Sequence, residues 1–399
     1  MDLFPNLIWL AIPNIGNISF EHVPGLFLTP SSTLRSVTLD GITHSTEVFA
    51  ASLIHSISIQ AQELVLLSMA GQLSPTSLNL VNQFKTLDSL VITSRNAVFP
   101  GNTLQQFSGM PNLNSLHIHL REQSTFELPV IIPVFEQLQD LEISGSTSDI
   151  LAIVQNIHPR NLKKIKIALL SLGKQGSQGC FGQCIQRISL LTRDTQTLKS
   201  IRIDSANADL YIPRMELKWL KLWTKVSQID MTVDVLTSNT SSYFLSLGGE
   251  WSSIEGLTLR SGRTMPNGDA LSISGLHGFL LVFPNLKRLK VSMSLRMDSA
   301  HVNSMRKALK NTTACHGLQE LVLLPFKDSA IDFDAIVGEV CRAFIVARYI
   351  DHLCPHLKNL DLSRLGFILD SDWREGVEMM VKELQESRVR MSHHVCCNK

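Results

Sequence analysis

The side chains that could bind a metal ion fall into two clusters of this 399-residue chain. Cys180 and Cys184 are separated by three residues, and the segment from His393 to Cys397 carries two His and two Cys residues. Thiolates and imidazoles are common zinc ligands, but structural zinc sites combine closely paired cysteines, and neither cluster has that spacing. We therefore predict no bound metal and no cofactor, and we interpret the tail as a disordered terminus.

Patterns typical of a catalytic centre are absent from the sequence. It contains no Gly-x-Ser-x-Gly, no Gly-x-x-x-x-Gly-Lys-Ser/Thr and no His-Glu-x-x-His. The glycine run from Gly173 to Gly182 lacks the Lys-Ser/Thr ending of a phosphate-binding loop, so we predict a mobile loop there. Acidic pairs at Asp332/Asp334 and Asp370/Asp372 lie where helices are expected to begin, and acids stabilise helix N-termini. We predict that the protein is not an enzyme.

Charge and hydropathy exclude several classes of partner. Lys and Arg number 36 against 35 Asp and Glu, so no net charge draws the chain to nucleic acid or to an anionic membrane. The sequence has no apolar run of about 18 residues that could span a membrane. Residues Met1 to Asn6 lack the basic start of a signal peptide, and the seven cysteines are scattered and odd in number. We expect reduced thiols and a cytoplasmic or nuclear location.

One pattern, apolar-x-x-apolar-x-apolar, recurs thirteen times and must position any functional side chain. The copies begin at Leu7, Leu34, Ile54, Leu87, Leu113, Leu138, Leu162, Leu198, Val226, Ile254, Leu286, Leu318 and Leu357. Their mean spacing is about 29 residues, near the top of the range for leucine-rich repeats. Several copies open with apolar-Pro-polar-Leu, as at Phe4, Met110, Phe283 and Cys354. Proline ends the preceding element and favours a strand after it.

The intervening positions predict the local structure of each copy. Two residues after the first apolar residue, twelve of the thirteen copies are polar or Gly, which is the alternation of a half-buried strand. Segments between copies have helical spacing, as in Ile150, Val154 and Ile157. Parallel strands joined by right-handed helical crossovers stack into a curved array. A flat doubly wound sheet is less consistent with one sextet repeated throughout.

The predicted fold is therefore an α/β leucine-rich-repeat solenoid, a horseshoe of about thirteen irregular repeats. A parallel sheet would line the concave side, and helices would cover the convex side. The predicted domains are a solenoid over residues 1–369 and a C-terminal capping helix with a disordered tail over residues 370–399. We expect a long helix beginning near Ser329 and a final helix from Asp372 to about Ser387.

The candidate binding residues point away from the core at the second, fourth and sixth positions after each first apolar residue. The early part of this face is nearly uncharged, with Trp9, Ser36, Thr38, Ser56, Ser58, Ser89 and Val91. The candidate protein-binding residues are Trp9, His117, His119, Asp140, Glu142, Lys164, Lys166, Arg202, Asp204, Asp230, Arg260, Arg288, Lys290 and Glu320.

Two interpretations of these charges remain open. In the first, opposite charges on adjacent strands, such as Glu142 beside Lys166, only offset one another. In the second, they form a recognition surface, because solenoids use their concave side for extended binding and because Trp and Arg are enriched at interface hot spots. Trp223 and Trp251 fall outside the strand positions, and we interpret them as core or rim residues.

The repeats resemble the irregular leucine-rich repeats of F-box proteins, especially the fungal group with Cys-Pro-x-Leu-x-x-Leu-x-Leu or Phe-Pro-x-Leu-x-x-Leu-x-Leu. The resemblance extends from Phe4 to about Phe367. It implies a substrate-recognition arm of a cullin-RING ubiquitin ligase that binds an unidentified protein. The F-box helices that precede such repeats are not seen here, so adaptor binding is expected only if missing N-terminal sequence supplies them. The alternative is a free-standing scaffold or inhibitor without a ubiquitin role.

Overall fold

The computed structural model describes residues 6–17, 31–95, 98–99, 101–121, 125–126, 133–170, 177–205, 211–213, 216–232, 234–236, 246–259, 272–293, 299–311, 316–324, 339–362 and 371–397. The chain divides into two compact units, unit 1 over residues 1–210 and unit 2 over residues 211–399. The domain boundary predicted at residue 370 stays a prediction.

The strands of unit 1 are β1 (Trp9–Ile12), β2 (Ser36–Ile42), β3 (Leu66–Gly71), β4 (Ser89–Ser94), β5 (Val98–Phe99), β6 (Ser115–Leu120), β7 (Thr125–Phe126), β8 (Val134–Phe135), β9 (Asp140–Gly145), β10 (His158–Pro159), β11 (Lys164–Leu169) and β12 (Ser200–Asp204). Those of unit 2 are β13 (Tyr211–Pro213), β14 (Gln228–Met231), β15 (Asp234–Leu236), β16 (Gly256–Leu259), β17 (Arg288–Ser292), β18 (Glu320–Leu324) and β19 (Asn359–Asp361).

The helices of unit 1 are α1 (Glu47–Gln60), α2 (Pro75–Leu80), α3 (Gly101–Ser108), α4 (Thr147–Gln155) and α5 (Ser177–Thr195). Those of unit 2 are α6 (Leu217–Leu220), α7 (Leu276–Val282), α8 (Ser299–Asn311), α9 (Glu339–Leu353) and α10 (Ser371–Cys397). Short 3-10 turns occur at Ile15–Asn17, Val81–Gln83 and Ile273–Gly275.

Unit 1 contains a parallel sheet in which each long strand pairs with the next one along the chain. Its order is β1-β2-β3-β4-β6-β9-β11-β12. The two-residue strands pair separately, β5 with β7 and β8 with β10. Repeated strands of one direction, with α1, α2, α4 and α5 in the connections between them, are the arrangement that the sextet predicts.

Burial follows the alternation of apolar and polar residues along each strand. Leu116, Leu141 and Ile165 occupy equivalent positions on β6, β9 and β11 and pair in register. Their side chains are at most 1% exposed. The prediction that these three residues stack as successive core rungs is confirmed. Each rung thus removes several aliphatic side chains from water, at roughly 1.5–3 kcal/mol per side chain.

The third predicted repeat is wrong. Ile54 lies inside helix α1. The apolar sextet of this repeat starts instead at Leu64, two residues before strand β3. The helical segment imitates the sextet because residues three apart share a helix face, so Ile54 and Ile57 are both buried. The third apolar residue distinguishes the two: Ile59 is 60% exposed, whereas Met69 on β3 is fully buried. Twelve of the thirteen predicted strand positions are correct.

The glycine-rich segment is also partly different from its prediction. Helix α5 begins at Ser177, so Gly179 and Gly182 belong to a helix rather than to a mobile loop. Gly173 and Gly176 lie outside the described residues. The helix forms there because Phe181, Ile185 and Ile188 recur at helical spacing and are buried. Helical periodicity outweighed the helix-weakening effect of the two glycines.

Within unit 2 the long parallel strands follow the order β14-β16-β17-β18-β19, and β13 pairs with β15. Trp223 and Trp251 are buried in its core with their rings stacked 6.2 Å apart at 4°. The indole Nε1 of Trp251 donates a hydrogen bond to the Leu220 carbonyl at 2.8 Å. The sequence left open whether these two tryptophans belong to the core or to the rim, and both belong to the core.

The buried Tyr349 links helix α9 to the start of α7. Its hydroxyl donates to the Ser274 carbonyl at 3.0 Å and accepts from the His277 backbone N–H at 3.2 Å. The phenol therefore satisfies two backbone groups that lie more than 70 residues away in sequence. Burial raises the pKa of Tyr349 to about 12, so the neutral form persists well above physiological pH.

The final helix is longer than predicted. Helix α10 runs from Ser371 to Cys397, ten residues beyond the expected end at Ser387, so the expected disordered tail is helical up to Cys397. It packs on α9 by burying Val377 and Val381. Its Arg388 forms an ion pair with Asp351 at 2.5 Å. Helix α9 is described from Glu339, and its predicted start near Ser329 lies outside the described residues, as do Asp332, Asp334 and Asp370.

Candidate functional site

The positions opposite the core on the long strands of unit 1 form three in-register rows, which we call the strand face of unit 1; all but Ser144 are half-buried or exposed where their burial is described. The first row is Trp9, Ser36, Leu66, Ser89, Ser115, Asp140, Lys164 and Ser200. The second is Ala11, Thr38, Ser68, Val91, His117, Glu142, Lys166 and Arg202. The third is Ala70, Thr93, His119, Ser144, Ala168 and Asp204.

Nine of the candidate residues thus come together on this one face. They are Trp9, His117, His119, Asp140, Glu142, Lys164, Lys166, Arg202 and Asp204. Ser56 and Ser58 are not among its residues, because they lie on helix α1, where Ser58 donates a hydrogen bond to Gln83 at 2.6 Å. The sequence missed Leu66 and Ser68, which take those positions on β3.

The first part of the strand face, from β1 to β4, is uncharged at the positions of these rows and rich in hydroxyl groups. Ser36, Thr38, Ser68, Ser89 and Thr93 are all half-buried. None of these hydroxyls has a side-chain hydrogen-bond partner among the described residues. Their donors and acceptors are therefore available to another molecule. Trp9 stands at the β1 end of the first row and is 63% exposed.

Two histidines mark the change from the uncharged to the charged part. His117 Nε2 lies 3.1 Å from the Ser115 hydroxyl, and His119 Nδ1 lies 2.8 Å from the Ser144 hydroxyl. Partial burial lowers the pKa of His119, and the nearby Glu142 carboxylate opposes part of that shift. The neutral imidazole of His119 is therefore favoured at pH 7.

The charged part, from β9 to β12, contains two ion pairs. Lys166 Nζ lies 2.7 Å from Glu142 Oε1 on the neighbouring strand, as the sequence predicts. Arg202 lies 3.6 Å from Asp204 on its own strand. Lys164 is exposed and makes no ion pair within the described part of the chain. The offsetting of charges accounts for some of the predicted ladder but leaves Lys164 open to a partner.

The strand face of unit 2 is smaller. Its first row is Gln228, Gly256, Arg288, Glu320 and Asn359, and its second is Asp230, Thr258, Lys290, Val322 and Asp361. It brings together the candidates Asp230, Arg288, Lys290 and Glu320, and Lys290 pairs with Glu320 at 3.2 Å. The guanidinium group of Arg288 lies beside Gly256, at ordinary van der Waals distance from where a Cβ would stand. Arg260 lies outside the described residues.

Two further observations concern metals and membranes. Within the ranges given above, no three His, Cys, Asp or Glu side chains are arranged to hold a metal ion. No helix in the same ranges combines the length and hydropathy needed to cross a bilayer. Cys180, Cys184 and Cys354 are free thiols. Burial raises the pKa of the Cys184 thiol strongly and that of Cys354 to about 12.

The repeated strand, the buried apolar positions of its sextet and the parallel register define a leucine-rich-repeat solenoid. No protein-family model and no curated protein sequence matches the chain. Among solved structures, an internalin from Listeria monocytogenes is similar over 83% of this chain and 81% of its own, at 11% identity and a TM-score of 0.38.

Two other solved structures show a similar degree of likeness. A leucine-rich-repeat protein from Leptospira interrogans matches 88% of this chain and 88% of its own, at 12% identity and a TM-score of 0.37. A protein from Bacteroides fragilis matches 73% of this chain and 65% of its own, at 12% identity and a TM-score of 0.32. At these identities the likeness concerns the fold alone.

Proposed function

We propose that the chain is a protein-interaction module that binds its partner through the strand face of unit 1. The observation that carries the proposal is the set of three in-register rows of solvent-facing side chains. Neighbouring rungs lie about 4.8 Å apart, so the rows form an ordered surface several strands wide. Curved repeat arrays commonly use such a surface for extended recognition.

The chemistry of the face indicates what kind of contact it makes. Hydroxyls on β2, β3 and β4 that have no partner within the described ranges can exchange hydrogen bonds with a polar partner surface. Trp9 offers a large exposed ring of the type enriched at hot spots. Lys164 supplies a charge that forms no ion pair with any described residue, and its long-range attraction would favour an acidic patch on the partner.

The finer proposal is a substrate-recognition arm of the F-box type, acting with a cullin-RING ubiquitin ligase. It is supported by the resemblance of the Cys-Pro-x-Leu and Phe-Pro-x-Leu repeats to those of F-box proteins. The alternative is a scaffold or inhibitor that binds its partner without ubiquitin chemistry. Reduced thiols at Cys180, Cys184 and Cys354 favour the cytosol or nucleus for either role.

The test is quantitative affinity purification with a blocked strand face. Ser68→Arg with Ser89→Arg places two large side chains on adjacent rungs of the face. The matched control, Ser52→Arg with Gln105→Arg, adds the same charge at exposed positions of α1 and α3. We expect the control to recover the same proteins as the wild type and the blocked variant to lose them.

Recovery of the same proteins by the blocked variant would contradict binding at this face. The presence of a cullin-RING adaptor among the lost proteins would support the F-box role, and its absence would favour the free-standing role. Lys164→Gln refines the test of charge, because it removes a charge that makes no ion pair with any described residue, whereas Lys166→Gln would break the ion pair with Glu142. A partner that uses Lys164 should associate more slowly with that variant, most clearly at low salt.

A further inference from the structure

An open groove of about 510 Å³ lies between the end of α4, β10 and helix α5 in unit 1. Its lining residues are Gln155, His158, Gln183, Gln186, Arg187 and Leu190. None of them belongs to the strand face, and none was a candidate from the sequence. A volume of this size is in the range of small-molecule sites. The groove is therefore considered apart from the protein-binding proposal.

Arg187 is held in a defined orientation at the groove. Its Nε and Nη2 donate to the carbonyls of Val154 and Gln155, both at 3.4 Å. Nη2 also donates to Nε2 of His158 at 3.0 Å. All these acceptors are neutral, and no carboxylate pairs with the guanidinium within the described chain. Among the described residues, the charge of Arg187 therefore faces only neutral acceptors and has no carboxylate partner.

The donor inventory of Arg187 leaves part of its fork unused. A guanidinium has five N–H groups, and the bonds above involve only Nε and Nη2. Neither N–H of Nη1 has a partner among the described residues. Because its orientation is already set by three contacts, less side-chain entropy is lost when an acceptor binds.

Three glutamine amides complete the polar lining. The side chains of Gln155, Gln183 and Gln186 form no hydrogen bond with any described residue. Each amide can donate two hydrogen bonds. The six lining residues include no Asp or Glu, and the positive charge of Arg187 lies against the negative C-terminal end of α4. Leu190 contributes an apolar wall against which a carbon skeleton can pack.

We propose that this groove binds a small oxyanion, with a carboxylate or phosphate group held by Arg187 and by the amides of Gln155, Gln183 and Gln186. The two N–H groups of Nη1 can donate to the oxygens of either group, and hydrogen bonds between ionised partners are stronger than neutral ones. The amides orient the remaining oxygens. The site is independent of the strand face, so a ligand bound here leaves that face open.

The test uses citrate and inorganic phosphate as probes, titrated into the full chain by calorimetry at an ionic strength kept constant with sodium chloride. Gln183→Leu is the principal variant, because Gln183 is exposed and supports no other residue. We expect this change to weaken binding by a few fold, the usual effect of one lost hydrogen bond. Arg187→Gln should weaken it by about tenfold or more, as for a charge-assisted contact.

The matched control is Arg160→Gln. It removes an arginine of the same unit that pairs with Glu136 outside the groove, so it changes net charge without changing the site. Binding that is unaltered by Arg160→Gln and weakened by both groove variants supports the proposal. Tighter binding of citrate than of phosphate would assign the carboxylate as the preferred group, and the reverse order would assign phosphate.

Two outcomes would overturn the proposal. One is the absence of any binding of either probe to the wild type at millimolar concentration. The other is equal affinity in the wild type and in Gln183→Leu, with Arg160→Gln as disruptive as Arg187→Gln, which would indicate attraction to net charge alone. Arg187 also caps helix α4 by donating to its last carbonyls. The Arg187→Gln variant is therefore compared with the wild type by circular dichroism before titration.

Discussion

Leu141 on β9 offers the most direct test of the strand register. Its side chain is fully buried between Leu116 and Ile165 on the neighbouring strands. Replacing a buried leucine by alanine costs about 2–5 kcal/mol, because burial is lost and a cavity remains. In Leu141→Asp a carboxylate without a partner adds a desolvation cost of a few kcal/mol. We expect this variant to lose about 4 kcal/mol or more.

That loss is large against a total stability of about 5–15 kcal/mol. The assay is urea unfolding followed by circular dichroism, with hydrogen exchange to locate the effect. Because each rung contacts mainly its neighbours, exchange should increase first in β6, β9 and β11. Leu141→Ala provides an intermediate variant that remains measurable if Leu141→Asp does not fold.

The control is the adjacent Glu142→Ala. Glu142 loses its ion pair with Lys166, whose side chain is 39% exposed, so the change should cost less than about 1 kcal/mol. If Leu141→Asp unfolds like the wild type while Glu142→Ala is disruptive, the faces of the strand are exchanged and the reasoning fails.

Three further predictions concern buried groups. Tyr349→Phe should cost about 1–3 kcal/mol in urea unfolding, because two buried backbone groups lose their partner; a loss below about 0.5 kcal/mol would contradict the role of the hydroxyl. Burial raises the pKa of Cys354 to about 12, so at about pH 8 iodoacetamide should modify the partly exposed Cys180 well before Cys354, as read by peptide mass spectrometry. Burial lowers the pKa of His119 below 6.5. The contribution of its neutral imidazole to the free energy of unfolding is therefore complete above pH 6.5 and is lost as pH falls through the lowered pKa. His119→Gln should therefore show a shallower loss of unfolding free energy toward about pH 5, and an unchanged slope would refute this.

The sequence predicted most of the fold because the signal is local and repeated. Apolar residues at the first, fourth and sixth positions with polar residues between them satisfy a strand with one buried face, and proline marks its beginning in several copies. The pairing of Glu142 with Lys166 followed from the same reasoning, since equivalent positions on adjacent parallel strands are neighbours. Local periodicity is enough to set which side chains share a face.

The sequence could not settle positions where one pattern fits two structures. Ile54 and Ile57 satisfy both a helix face and the start of the sextet, and only the burial of Met69 and the exposure of Ile59 identify β3 as the strand. Gly179 and Gly182 suggested a loop, but the buried face of α5 stabilises a helix through them. In both cases contacts distant in sequence outweighed local preference.

The groove beside Arg187 in unit 1 depended entirely on the tertiary structure. Gln155, His158 and Arg187 belong to no motif, and glutamines with one arginine in a helix are typical of an ordinary solvated face. They become a candidate site only because α5 packs against α4 and directs the guanidinium toward the last carbonyls of that helix. Periodicity determines which residues are buried. The packing of helices determines which polar groups lie close together without a hydrogen-bond partner, because these contacts depend on distances between elements that no local pattern encodes.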